Sequence, residues 1–440
     1  MKLRRILITV ARMNIIVLLL TMVSFLVDLL YGDLSTKNIL RFTVPFVFST
    51  GVYVAAAATF KTSQGLTRKE RYTSAIASFL YIVLVCSIPF MIDGIVNPAG
   101  AVFESMAGLT TTGLSTFDPS ELISSGHGMM FFRVALQWVG GLFYLVFAFM
   151  FISDLADVAK RSTDRRIFSR IGLVPNLSTL LQNLTVIYGI FTIFSFLAFY
   201  IARMELFDAI CLSMSTVSTG GFTSTGRIVG EGSGIHILVI LFMFLAGMGY
   251  YVHMSIFSAR ARKRTILDAE NVSYLFITLT FPVVLFLILL FDGAGTLPSL
   301  WKGSFAVISA ISTTGFMVPG IDDWPDSSKF LLLVLMLVGG SSFSLASGFK
   351  IQRIFLLIKG FFSEVRRSSH PNAMVALRRG EGTYSEKALE AANMTFFYLF
   401  GLLGLSIGVV LVFKGDMFAV ISLCVTSISN SGMAFGEFGT

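Results

Sequence analysis

The chain has 440 residues, of which 55% are hydrophobic and only 13% charged, about half the roughly 25% charge of a soluble domain. Its mean hydropathy is +0.81. That composition excludes a soluble enzyme, a nucleic-acid binder and a disordered scaffold; it leaves a polytopic membrane protein, whose net charge of +8 reads as a topology signal.

The chain opens on Lys2, Arg4, Arg5 and Arg12, with an apolar run reaching Leu30. No small-residue cleavage site follows, so the run is read as a retained first span. Further runs long enough to cross a ~30 Å core lie at 39–60, 73–93, 130–155, 180–203, 235–258, 272–292, 329–357 and 390–413. Four apolar stretches, 99–109, 206–217, 301–311 and 417–428, are too short to span. Stretches of that length are re-entrant or buried.

The basic residues test this division. Of the 33 lysines and arginines, 25 lie in 1–12, 61–71, 156–175, 258–270 and 350–388. These segments share one side only if each short stretch enters and leaves on the same side. By the positive-inside rule that side is cytoplasmic, with the N-terminus there and residue 440 near the outer side.

Each short stretch runs into a small polar segment built around glycine. The four are Thr110-Thr111-Thr112-Gly113, Ser218-Thr219-Gly220-Gly221, Ser312-Thr313-Thr314-Gly315 and Ser429-Asn430-Ser431-Gly432. Their last glycines are 108, 94 and 117 residues apart, the mark of a long internal repeat. Each unit reads span, short helix, glycine segment, span. The second spans carry glycines at matching distances: Gly140 and Gly141, Gly247 and Gly249, Gly339 and Gly340. The fourth unit has no counterpart before Thr440. The favoured expectation is a last span beyond this chain; a natural stop is the alternative.

The expected fold is therefore an all-α polytopic membrane protein with four repeats around a pseudo-fourfold pore, preceded by two extra helices. The expected division is 1–70 for those two helices, 71–170, 171–265 and 266–360 for three repeats, and 361–440 for a linker and the fourth. Two crossings per unit make the repeats parallel, which brings the four glycine segments to one axis. Non-helical backbone at membrane depth lines a cavity or is buried in protein. Rings of backbone carbonyls there replace a cation's hydration shell, and the negative ends of the short helices favour the same charge. Small residues that merely pack helices are the alternative for one segment, but four copies in register argue for a pore.

With these motifs the chain resembles the Trk/Ktr/HKT superfamily of potassium transporters. The stretch Ala101-Val102-Phe103-Glu104-Ser105-Met106-Ala107-Gly108-Leu109 leading into Thr110–Gly113 is similar to the family's first pore helix and filter. Val217–Phe222 matches the second, and Arg133, Gln137-Trp138 and Gly140-Gly141 resemble the span after the first. The two extra N-terminal spans point to the Trk branch and its membrane subunit. The resemblance implies potassium uptake across the cytoplasmic membrane, with potassium ions in the filter and no covalent cofactor. It implies a homodimer regulated by a ring of cytoplasmic nucleotide-binding subunits. All four filter glycines are present, which favours potassium over sodium.

The resemblance also implies a gating loop inside the second span of the third repeat, at 339–349. Here that region holds Gly339, Gly340, Ser341, Ser342, Ser344, Ser347, Gly348 and Lys350, but it lacks a dense glycine run, and Phe343 and Leu345 are bulky. A broken span that gates is the expectation; an unbroken, kinked helix is the alternative. Lys350 is expected either to hold the gate or to act as a plain positive-inside anchor.

Several carboxylates stand near the expected spans. Glu104 is expected to support the first filter, and Asp208 to precede its short helix, as a vestibule charge or a dipole partner. Asp322, Asp323 and Asp326 read as a solvated outer loop. A sodium- or proton-coupled symporter is the rival in the same class, with Asp28 and Asp93 as candidates by position, although both read as interfacial. A membrane enzyme would need a convergent catalytic set, which the spans lack. Cys86, Cys211 and Cys424 make no disulfide framework, and the four histidines have no metal-ligand spacing. The basic stretch 359–388 is expected to dock a regulatory subunit or bind anionic lipid headgroups.

Overall fold

The computed structural model describes residues 2–59, 67–159, 177–224, 234–255, 268–293, 297–369, 378–379, 382–383, 386–413 and 416–436. It is an all-α membrane fold, apart from a two-residue antiparallel ribbon pairing Arg378–Arg379 (β1) with Gly382–Thr383 (β2). The loops expected at 156–175 and 258–270 lie largely outside the described residues.

The extra pair is α1 (Lys2–Tyr31) and α2 (Thr36–Thr59). The first repeat is α3 (Arg68–Cys86) with α4 (Ile88–Asp93), the short α5 (Pro98–Leu109), a surface turn α6 (Pro119–Ser124) and α7 (His127–Ala159). The second is α8 (Leu177–Ile201), the short α9 (Leu206–Ser218), α10 (Ile235–Gly247) and α11 (Tyr250–Ser255). The third is α12 (Ala269–Phe291), the short α13 (Leu297–Ile311), a 3-10 turn (Ile321–Asp323), α14 (Asp326–Val338) and α15 (Ile351–Ser369). The fourth has α16 (Glu386–Leu411) and the short α17 (Met417–Ser429).

Among the described residues, seven helical segments are long and apolar enough to cross a membrane: Ile6–Tyr31, Thr36–Ala56, Lys69–Asp93, His127–Leu145, Leu181–Ile201, Ala269–Phe291 and Glu386–Leu411. Three of the nine expected spans depart from one continuous helix: 73–93 carries a one-residue turn at Ser87 between α3 and α4, and two others are broken outright. The run 329–357 is broken between Val338 and Ile351, which removes the kinked-helix alternative. The run 235–258 was expected to be continuous and is not: α10 stops at Gly247, and Met248 turns extended (φ −79°, ψ 149°). Its hydropathy hides the break, because both halves are apolar.

The short helices set the architecture. In the second and third repeats, the short helix packs on both long helices of its own repeat and on the second span of the repeat before it: α9 on α7, and α13 on α10. The fourth short helix, α17, packs on α16 and on α14 of the preceding repeat. That stepwise wedging carries the chain around an axis. Apolar side chains from α8, α9, α10, α12, α13 and α14, among them Phe199, Val239, Phe305 and Leu332, form the largest buried cluster, which also takes in Val425 of α17. Outward, Val186, Phe194, Leu279, Phe397 and Leu405 are exposed, as lipid-facing helix surfaces require.

The two carboxylates weighed above by position, Asp28 and Asp93, are both buried. Asp28 is fully buried and accepts the Gly128 amide at 2.7 Å, capping the start of α7. Asp93 is buried against Arg41 at 3.4 Å, with Lys37 at 3.6 Å. These carboxylates hold the extra helices onto the first repeat, and a cavity of about 490 Å³ lies beside Asp33, Lys37, Arg41 and Asp93.

Candidate functional site

The four glycine segments begin as helix ends. Each short helix terminates in a left-handed residue: Thr111 (φ 58°), Thr219 (φ 53°), Thr313 (φ 51°) and Asn430 (φ 56°). The next amide then reaches back five residues. Thr112 donates to Ala107 at 2.9 Å, Gly220 to Ser215 at 2.9 Å, Thr314 to Ser309 at 3.0 Å and Ser431 to Thr426 at 3.1 Å. This is a Schellman closure, repeated four times, and it satisfies carbonyls that the helix end would leave free. Threonine is costly in the left-handed region, so the closure and the surrounding packing hold it there. Nothing in the sequence marks these four residues for the left-handed region, and for the three threonines β-branching argues against it.

Two residues on, Gly113, Gly221, Gly315 and Gly432 also take positive φ, at 79°, 85°, 80° and 75°. Each abuts its neighbour's backbone. A Cβ on Gly113 would overlap the Gly220 carbonyl oxygen, one on Gly221 that of Thr314, one on Gly315 that of Ser431, and one on Gly432 that of Thr112. The contacts run from the first repeat to the second, third and fourth and back to the first. The four segments therefore close into one ring, in chain order, at backbone-to-backbone distance.

A second layer of side chains fixes the ring. Gln137 of α7 donates through Nε2 to the Gly220 carbonyl at 2.5 Å and accepts the Phe222 amide at 3.1 Å, so the first repeat grips the second segment. Glu104 of α5 is fully buried and accepts the Thr116 amide at 2.5 Å and the Ser115 hydroxyl at 2.9 Å. Arg133 meets the same carboxylate at 3.1 Å, and its guanidinium lies 4.2 Å from the Phe222 ring centroid. Asp208 lies in the first turn of α9 rather than before it, and accepts the Ser224 hydroxyl at 2.5 Å. Asn430 spans the seam between the fourth and first segments: it donates to the Thr110 carbonyl and accepts the Thr112 hydroxyl. Ser431 donates to the Met336 sulfur at 2.7 Å.

The glycines of the second spans make room for this layer. A Cβ on Gly140 would overlap the Leu109 carbonyl at the end of α5. One on Gly141 would press Tyr188 and Ser218, and one on Gly247 would press Tyr274 and Ser312. The second span thus backs the glycine segment of the next repeat through Gly141 and Gly247, and the end of its own repeat's short helix through Gly140.

The break in the third repeat runs from Gly339 (φ 69°) to Lys350 (φ 77°) and brings all eight expected gate residues into one non-helical loop. It docks on the unforeseen break in the second repeat. Ser341 donates its amide to the Gly247 carbonyl and Tyr250 donates to the Phe343 carbonyl, both at 3.0 Å. Glu270 of α12 accepts the Ser341 hydroxyl at 3.0 Å and the Ser342 amide. Lys350 is buried, and its ammonium turns into the loop toward the carbonyls of Ser341, Ser344 and Ala346. Bulky Leu345 is buried in one apolar cluster with Leu184, Tyr188, Val217 and Tyr250. The Ser347 amide reaches the Thr313 hydroxyl at 2.7 Å, directly joining loop and ring. The outer Asp322 and Asp323 are exposed, as a solvated loop requires.

Comparison with known proteins agrees with this architecture. Residues 36–440 match the TrkH family model, described as a cation transport protein. The Trk system potassium uptake protein TrkH of Salmonella typhimurium is 31% identical over 381 residues, covering 81% of this chain and 77% of that protein. The Halomonas elongata TrkH is 29% identical over 434 residues, covering 95% and 88%. The crystal structure of the potassium transporter TrkH from Vibrio parahaemolyticus shares the fold, with a TM-score of 0.82 at 24% identity, covering 100% of this chain and 92% of that one. This chain is an integral membrane protein and belongs to the TrkH family of cation transport proteins.

Proposed function

We propose that this protein takes up potassium across the cytoplasmic membrane through a channel-like pore. The carbonyls of Thr110–Gly113, Ser218–Gly221, Ser312–Gly315 and Ser429–Gly432 form its four-part selectivity filter. The observation that carries this reading is the closed circuit of glycine-to-carbonyl contacts through Gly113, Gly221, Gly315 and Gly432. A ring held at that distance by Gln137, Glu104 and Asn430 is preorganised, so dehydrating an ion there costs little reorganisation. The curated relatives named above are potassium uptake proteins, which supports potassium as the ion. The basic side is cytoplasmic in this reading, and the partners are a second copy of the chain and a ring of nucleotide-binding regulatory subunits.

The loop from Gly339 to Lys350 is the gate. Its attachments to Gly247, Tyr250, Glu270 and Thr313 support a defined resting position directly beside the ring. Transport is passive in this reading. Asp28 and Asp93, the carboxylates a coupled symporter would use, are tied to Gly128 and Arg41 in the extra-helix region.

Gly113→Ser tests the filter, because a Cβ there strikes the Gly220 carbonyl. Rubidium-over-sodium flux in proteoliposomes should fall. An unchanged ratio at normal expression and flux would remove the filter assignment. Shortening Ser341–Ser347 tests the gate: resting flux should rise, and unchanged regulated flux would count against it.

A further inference from the structure

We infer that the Thr313 hydroxyl couples the third filter segment to the intramembrane loop, so that ion occupancy of the filter and closure of the loop share one equilibrium. This deepens the proposed function and rests on it.

Thr313 has two faces. Its backbone belongs to the ring: its amide donates to Ala310 at 3.2 Å, and the following amide closes the end of α13. Its side chain, buried to 1% exposure, leaves the ring and accepts the Ser347 amide at 2.7 Å. It makes this contact from the same left-handed backbone (φ 51°) that the other three segments share. At the matching position of the first segment, Thr111 accepts from Asn430 at 3.4 Å, within the ring itself. Among the described residues, the third segment alone passes this contact to the loop.

The Ser347 peptide is held on its other flanks as well. Its carbonyl oxygen lies where a Cβ on Gly339 would be, and the neighbouring Ala346 carbonyl receives the Lys350 ammonium. A shift of the loop therefore breaks the Thr313 contact and strips a partly buried amide of its acceptor, which carries a cost. A shift of the third segment, as when an ion leaves, strains the same bond. Thermodynamic reciprocity then requires each event to bias the other.

Hydrogen exchange on the wild-type chain, in potassium and in choline, tests the coupling. Potassium should slow exchange in peptides covering 309–316 and also in those covering 341–349. The loop protection should vanish in Thr313→Val and return in Thr313→Ser. Resting rubidium flux should rise about fivefold in Thr313→Val, the order expected for one lost hydrogen bond, and Thr313→Ser should rescue it. Protection of the segment without the loop overturns the coupling and leaves the filter standing. Loop protection that persists in Thr313→Val overturns the role of Thr313. Protection of neither segment overturns the filter reading, and the coupling with it.

Discussion

Asn430 reaches across the last seam of the ring to Thr110, donating its Nδ2 to that residue's carbonyl while its Oδ1 accepts from Thr112. The other three repeats place threonine at this register, as Thr111, Thr219 and Thr313. Asparagine tolerates the left-handed conformation, and its amide supplies a donor and an acceptor on one short stem. Asn430→Thr restores the repeat's own pattern but loses the bridge. Rubidium-over-sodium preference should fall about fivefold, the order set by roughly 1 kcal/mol for a net hydrogen bond. An unchanged ratio in proteoliposomes would mean that the seam closes without it.

Glu104 and Arg133 form a buried pair whose two halves are not equivalent. Glu104 also accepts the Thr116 amide, so Glu104→Gln keeps an acceptor there. Arg133→Met leaves the carboxylate buried and uncompensated, which costs roughly 3–5 kcal/mol. Thermal melts in detergent should show Arg133→Met far less stable than Glu104→Gln. Equal loss in both would show that Arg133 is not what compensates the Glu104 carboxylate.

Two kinds of glycine separate in the same way. A Cβ at Gly140 meets the Leu109 carbonyl, a backbone atom that cannot rotate aside. At Gly404, on α16, a Cβ meets nothing within 4 Å. Gly140→Ala should lower both melting temperature and flux, while Gly404→Ala leaves both near wild type. A tolerated Gly140→Ala would show that α7 can withdraw from α5 without disturbing the ring.

The helical architecture was legible because it is written in length and repetition. Four helices too short to span, each ending in glycine, survive any error in individual boundaries. The break between Val338 and Ile351 was legible as a cluster of small side chains. The break at Met248–Gly249 was not, since helix and break are equally apolar there. Nor were the left-handed threonines: propensity argues against them, and only the backbone closure of the assembled ring selects them. The partners of Asp28 and Asp93 were not legible either, because position along a span says nothing of lateral neighbours. Arg41 and the α7 amide that bury them come from distant parts of the chain.

The turn between α1 and α2 is tied to α7 by one carboxylate, and its pH response has a definite sign. Asp33 Oδ2 accepts the His127 amide at 2.8 Å and meets the His127 ring Nδ1 at 2.7 Å. Partial burial pushes the Asp33 carboxyl upward, but the two His127 hydrogen bonds, its charge and Arg41 outweigh that and hold it below the usual range. The unfolded chain therefore binds the proton more readily. The stabilisation is complete above the ordinary aspartate range and is lost as pH falls through the lowered folded value. Melting temperature in detergent should lose this contribution only below about pH 4. Asp33→Asn should melt lower than wild type at neutral pH, and the gap should narrow as acid titrates the wild-type carboxylate. A gap that stays constant down to the acid limit would show that the Asp33 charge does not hold the hairpin to α7.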